Sequence, residues 1–230
     1  MKCAIFGDIH ANLEALAAVL ADAAEQGCDL HFCTGDIVGY NANPQECVDL
    51  VRDLDCPVVM GNHDQEAAGN SSLNGFNPIA ARAIEWTREH LNDESRRWLA
   101  GLPFTHLDGD ATFTHATVED PGGWAYVLNR YDALACLASQ HTPLAFIGHT
   151  HQPVFYTLAD GEVTIDPGPT VEVLPSTRYL INVGSVGLPR DRDRRACYVI
   201  YDRATHRVEL RRVDYDDGEA SRKTIAAGLR

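Results

Sequence analysis

Cys3-Ala4-Ile5-Phe6-Gly7-Asp8-Ile9-His10 is the stretch whose reading decides the fold. An apolar run of this length and residue type reads as a short buried strand. Gly7 lets the backbone turn where that strand ends. On extended chain, side chains two residues apart share a side, so Asp8 and His10 are expected to grip one metal ion. A carboxylate oxygen and an imidazole nitrogen suit a borderline divalent metal. Alone, Gly-Asp after a strand reads equally as a plain turn. The pattern acquires meaning because it returns.

Residues 13–20 place Leu13, Leu16, Ala17 and Leu20 at helical spacing, with Gly27 as a stop. Residues 30–34 are strand-like and end in Gly35-Asp36-Ile37-Val38, a second copy of apolar run, Gly, Asp. Asn43-Pro44 opens a helix to about Leu54, with Asn as cap and Pro in the first turn. Residues 57–60 read as a third short strand, which ends in Gly61-Asn62-His63-Asp64. In α/β sheets, ligand sites lie beyond the carboxyl ends of the strands.

Residues 67–75 are rich in Gly, Asn and Ser and read as a loop near these motifs. Helices follow from Asn77-Pro78 to about Leu91 and from Asp93 to about Ala100. Residues 104–107 and 111–114 form a hairpin around Asp108-Gly109-Asp110, and its second strand delivers His115. Residues 131–140 are helical. Residues 143–147 form a strand ending in Gly148-His149-Thr150-His151, two histidines at metal-ligand spacing.

From Val154 onward short β-rich runs (155–158, 162–165, 178–182, 197–201, 208–213) alternate with Gly, Pro and Asp. They read as antiparallel strands rather than further βαβ units. Residues 219–227 read as a terminal helix with Gly228 as its stop. With no linker between them, the halves are expected to form two packed mixed sheets flanked by helices, one α/β domain over residues 1–230.

Bulk properties restrict the function. The 230 residues carry a formal net charge of -14, which argues against a sequence-blind nucleic-acid binder. A phosphate substrate stays open, because bound metal reverses the field locally. Seven cysteines, an odd number without Cys-x-x-Cys, fit free thiols in a reducing compartment. Cys3, Cys33 and Cys197 sit in apolar runs and read as buried. No signal peptide and no membrane-length apolar run are apparent, so a soluble cytoplasmic protein is expected.

In chain order, Gly-Asp-Ile-His, Gly-Asp-Ile-Val, Gly-Asn-His-Asp, a strand-borne His and Gly-His-Thr-His resemble the motifs of the calcineurin-like metallophosphoesterases. Ile181-Asn182-Val183-Gly184-Ser185-Val186-Gly187-Leu188-Pro189-Arg190 resembles the compact bacterial and archaeal phosphodiesterase-like branch. The resemblance implies a four-layer α/β/β/α sandwich and two divalent ions, whether manganese, iron or zinc. Asp8, His10 and His151 would hold the first ion, and Asn62, His115 and His149 the second. Asp36 would bridge both. His63 would face substrate, with Asp64 either orienting it or standing as an exposed turn carboxylate. A metal-bridging hydroxide would attack phosphorus in line, and His63 would stabilise the transition state or protonate the leaving group. The family commonly has Gly after the strand-borne His. Here it is Ala116, which puts the local backbone in question.

Arg190, Arg192, Arg194 and Arg195, with Asp191 and Asp193, read as a solvated loop or as a phosphate clamp. Arg190, inside the family-like stretch, is the member chosen. Asn12 and Tyr40 follow two of the metal motifs. They read either as substrate contacts or as a helix-start residue and a packed aromatic. The leading expectation is a dinuclear phosphoesterase acting on a small phosphate ester or nucleotide. Phosphodiesterase, phosphomonoesterase and dinucleoside polyphosphate hydrolase share that core. A non-catalytic interaction scaffold is the alternative of another class. A DNA nuclease would be expected to bring basic surface or further domains. Open edges in the β-rich half leave pairing between subunits possible.

Overall fold

The computed structural model describes residues 1–69, 73, 76–166 and 168–229. β1 (Lys2–Phe6) pairs parallel with β2 (Leu30–Cys33) and antiparallel with β10 (Ala196–Asp202). β11 (Arg207–Val213) and β8 (Thr170–Glu172) complete a sheet of order β2-β1-β10-β11-β8. The second sheet runs β3 (Thr105–Asp108), β4 (Ala111–Thr114), β5 (Leu144–Ile147), β9 (Arg178–Asn182), β6 (Val154–Ala159), β7 (Glu162–Asp166).

Period-two alternation stacks the layers. In β1, Ala4 and Phe6 face α1 (Leu13–Glu25) and α2 (Pro44–Asp53), while Cys3 and Ile5 face the second sheet. In β5, Phe146 faces the first sheet, whereas Ala145 and Ile147 face α6 (Arg130–Ser139). A strand buried on both faces is apolar throughout, and β5 is Leu-Ala-Phe-Ile, all buried. The layers are therefore helix, sheet, sheet, helix, as the sequence implied. The sheets do not correspond to the halves, however: each draws strands from both. β9 also pairs parallel with β5, so the late strands are not all antiparallel. β8 was not anticipated; three residues between Pro- and Gly-rich turns carry little pattern.

The remaining helices are α3 (Asn62–Ala68), α4 (Pro78–His90), α5 (Asp93–Ala100) and α7 (Asp217–Ala226). Asn77 and Asn92 cap α4 and α5 through their side chains. Asn43 sits at the start of α2 without capping it; its amide instead donates to Glu46. The segment expected as a third strand, residues 57–60, makes a single bridge, Val58 to Cys33. Of the expected loop, residues 70–72, 74 and 75 lie outside the described residues, and 67–68 end α3.

Candidate metal centre

The carboxyl ends of β1, β2, β4 and β5 meet between the sheets. There the loops after β1 and β2 are stitched together: Asp8 N donates to Gly35 O (2.9 Å), His10 N to Asp36 O (3.0 Å) and Ala11 N to Ile37 O (2.8 Å). This stitching fixes an unusual backbone. Asp8 (φ 49°), His10 (49°), Asp36 (53°), His149 (68°) and His151 (60°) all adopt left-handed conformations. Each such residue costs about 1–3 kcal/mol and persists only where surroundings over-determine it. The expected extended-chain pairing of Asp8 with His10 is thus corrected: they converge through left-handed turns. Gly7 does not supply the turn; a Cβ there would strike the Thr34 hydroxyl.

Four imidazoles share one design. His10 Nδ1 is 3.1 Å from Val38 O, His151 Nδ1 2.7 Å from Leu188 O, and His115 Nδ1 2.8 Å from Thr34 O. His149 uses its other nitrogen, with Nε2 2.9 Å from Trp124 O. A carbonyl only accepts, so each of these nitrogens carries the proton. The opposite nitrogens are directed at one small volume, His10 Nε2 3.0 Å from His151 Nε2 and His115 Nε2 3.2 Å from His149 Nδ1. Carbonyl partners of this kind orient histidine ligands in metal sites.

Two carboxylates complete the volume. Asp36 Oδ2 lies 3.6 Å from His10 Nε2 and 3.4 Å from His115 Nε2, between the two histidine pairs. Asp8 Oδ1 is 3.2 Å from His151 Nε2 and is buried without a hydrogen-bond partner. Asn62 Oδ1 is likewise buried and unpartnered among the described residues. An orphaned buried oxygen is costly unless something electropositive meets it. Three clusters of donor atoms result: Asp8 with His10 and His151, His10 with Asp36 and His63, and Asp36 with His115 and His149. The donor set of imidazole, carboxylate and amide oxygen fits divalent metal.

The protein's own electrostatics point the same way. Burial opposes charge on Asp36, but His115 and His63 hold its carboxyl well below the usual range. Burial likewise opposes charge on Asp8, and His151 outweighs it. His115 runs against its burial: Asp36 raises it to about 9. Burial lowers His149 to about 4, with His115 adding to the effect. Burial also lowers His10 and His63. The site is thus a pair of buried anions requiring a cation, whether proton or metal.

His63 and Asn62 begin α3 rather than ending a strand, because Asp64 accepts from Gly61 N (3.2 Å) and caps the first turn. A Cβ at Gly61 would strike Asp36, whose Oδ1 accepts from His63 N at 2.8 Å. His63 packs edge-on against His10 (4.8 Å) and beside Tyr40 (4.7 Å), and its Nδ1 has no partner. Asp64 is fully buried, not an exposed turn residue. It accepts from Ile37 N (2.9 Å), Val38 N (3.3 Å) and Gly61 N, so it holds the Asp36 loop rather than the His63 ring. Burial and Asp36 raise Asp64 to about 7.

Asn12 is committed elsewhere: its side chain accepts from Ala15 N to cap α1 and donates to Gly187 O. Both bonds fit its helix-start reading. Tyr40 lines the site against His10 at 4.8 Å. Arg190 is exposed, while its backbone N donates to His151 O (3.1 Å). Asp193 is bound by Arg195, and Asp191 by Arg212. The rest of the family-like stretch is scaffold: Asn182 holds Gly148 O and Thr150 Oγ1, and Ser185 holds Asp8 O. Ala116 is buried with no left-handed φ, so Ala is accommodated there.

The 117–129 segment carries no expectation from the sequence. Trp124 (φ 56°) orients His149 through its carbonyl, donates its indole N–H to Gln65 (3.1 Å) and packs on His115 (5.9 Å). Tyr126 stacks flat on His149 at 4.1 Å. The only available signal was Gly122-Gly123-Trp124-Ala125-Tyr126, aromatics beside chain-freeing glycines.

A donor set of this kind, at strand ends between two mixed sheets, defines a metal-dependent phosphoesterase fold. The chain belongs to the calcineurin-like phosphoesterase superfamily, whose domain matches residues 1–206. It is 40% identical over 228 residues to the uncharacterized protein MJ0912 of Methanocaldococcus jannaschii, covering 96% of this chain and 91% of that one. A metallophosphoesterase from Sphaerobacter thermophilus superposes with TM-score 0.88 at 40% identity, covering 100% of this chain and 95% of that one. The hypothetical protein PH1004 from Pyrococcus horikoshii OT3 shares the fold, with TM-score 0.80 at 18% identity over 100% and 94% of the two chains. No helix among the described residues is long and apolar enough to cross a membrane.

Proposed function

We propose that this protein is a dinuclear metal-dependent hydrolase of small phosphodiesters. The observation that carries the reading is the set of four imidazole nitrogens turned toward Asp36 and Asp8, each ring tied back through its other nitrogen. Asp8, His10 and His151 would hold one ion and Asn62, His115 and His149 the other, with Asp36 shared between them. Bound there, two divalent ions neutralise phosphate charge and lower the pKa of water to the neutral range.

The chain's own residues do the remainder. His63 lies beside both carboxylate-histidine groups yet makes no side-chain hydrogen bond through Nδ1. Its ring is free to donate a proton or hydrogen bond to the leaving oxygen. Arg190, exposed beside His151, contacts a non-bridging phosphate oxygen. Tyr40 walls the His63 side. Asp64 positions the Asp36 loop and touches no substrate. Seven free cysteines agree with a reducing, cytoplasmic setting.

The test is hydrolysis of bis(p-nitrophenyl) phosphate and of p-nitrophenyl phosphate by metal-stripped protein, before and after manganese. Manganese-dependent release with the diester favoured is the expected result. Preference for the monoester would move the assignment to a phosphomonoesterase. No release from either, with two metals shown bound, would shift it to a substrate-selective hydrolase such as one for dinucleoside polyphosphates. No release and no metal would leave a non-catalytic scaffold.

A further inference from the structure

Tyr126 has a placement that neither the ligand set nor the packing of the core explains. Its ring lies parallel to that of His149, centroids 4.1 Å apart and planes 8° from coplanar. One face is covered by the imidazole, yet the residue remains 48% exposed. The neighbours are pinned on both sides. Trp124 is held by His149 and Gln65, and Val127 is buried beneath α6 with Leu137 and Tyr156. The orientation of Tyr126 is therefore imposed by its anchors, including a left-handed Trp124, and not by freedom of a surface loop.

We infer that Tyr126 is a specificity-determining residue whose outer face stacks the base of a nucleotide substrate, resting on the phosphoesterase reading above. His149 points its bare Nδ1 at the centre, 3.2 Å from His115 Nε2. Tyr126 is thus one ring-thickness outside a group that faces the scissile phosphate. A nucleobase is joined to its 5′-phosphate by a single sugar, which keeps the flat ring close to the reacting group. Every base has a π-face, and base–aromatic stacking is sequence-tolerant. The class is a nucleoside phosphoester, with recognition of the base as a flat ring rather than by its edges. An alkyl or simple sugar phosphoester finds no corresponding partner in Tyr126.

Two measurements test this. The first compares thymidine 5′-(p-nitrophenyl phosphate) with methyl p-nitrophenyl phosphate, which release the same leaving group. The nucleoside ester is expected to have the higher kcat/KM. Tyr126→Ala is expected to reduce the ratio of the two about tenfold, mainly through KM, and Tyr126→Phe to retain it. The second is calorimetric binding of AMP against ribose 5-phosphate by manganese-loaded protein, with inorganic phosphate assayed to confirm that neither turns over. Wild-type protein is expected to prefer AMP about tenfold, a preference that Tyr126→Ala removes and Tyr126→Phe keeps. A ratio unchanged by Tyr126→Ala, with both esters slowed equally, would make Tyr126 a support for His149 and overturn the inference. Equal binding of the two phosphates by wild type would overturn it too. AMP preference without hydrolysis of any ester would instead refute the phosphoesterase reading and leave the platform standing.

Discussion

His10 Nε2 and His151 Nε2 lie 3.0 Å apart, and each ring is tied to a backbone carbonyl through its Nδ1. With both rings neutral, the two lone pairs at that separation repel. A cation between them converts the repulsion into two coordinate bonds. Metal binding is accordingly coupled to folding. Addition of manganese to stripped protein is expected to raise Tm by several degrees. His10→Ala should remove much of that rise. An unchanged Tm at millimolar manganese, read by scanning calorimetry, would count against the site.

Asp36 is the residue shared by the two histidine pairs, with Oδ2 at 3.6 Å from His10 and 3.4 Å from His115. Asp36→Asn keeps the shape but removes the charge and replaces one oxygen with a donor. Elemental analysis of the purified variant is expected to show loss of both metals. Two full equivalents would contradict a bridging role.

What the sequence made legible was residue type and order. Asp8, His10, Asp36, Asn62, His115, His149 and His151 are each where a strand end was read; the carboxylates and histidines among them converge, and the Asn62 amide oxygen is buried without a partner among the described residues. Their conformations were not legible. Five are left-handed, a state imposed by hydrogen bonds between loops distant in sequence, such as His10 N to Asp36 O. Asp64 was misread for a related reason: its partners Ile37 and Val38 are 27 and 26 residues away. Trp124 and Tyr126 carry no spacing signal, since only the folded loop brings them to His115 and His149.

Away from the site, Asp22 of α1 joins the helix layer to the first sheet. It accepts from Tyr198 (2.6 Å) and, through both oxygens, from Arg211 (2.8 and 3.2 Å). Burial opposes its charge, but the hydrogen bonds from Arg211 and Tyr198 prevail and hold the carboxyl below its ordinary value. The folded state therefore binds this proton less readily than the unfolded chain. The resulting stability is present above the ordinary Asp value of about 4 and disappears as pH falls through the folded value. Asp22→Asn is expected to cost about 1 kcal/mol at pH 7. The difference from wild type should shrink below about pH 4. Urea titrations at pH 7 and pH 3 read this directly; a difference that is independent of pH would show that packing, not charge, is what Asp22 contributes.

His63 separates binding from turnover. It is fully inside the site, 4.8 Å from the His10 ring, yet both proposed ion positions have other donors: Asp8, His10 and His151 on one side, Asn62, His115 and His149 on the other. Its own backbone N holds Asp36 and survives any substitution except proline. His63→Ala is therefore expected to keep two metals by elemental analysis and to keep the metal-dependent rise in Tm. The rate on a diester with a poor leaving group should fall by about 10²–10⁴, the range of general acid catalysis. On p-nitrophenyl esters the loss should be smaller, because that leaving group departs without a proton. This contrast distinguishes proton donation from simple transition-state hydrogen bonding, which would slow both esters alike. Equal turnover by the variant and wild type on both esters would remove His63 from the chemistry and leave it a wall of the site.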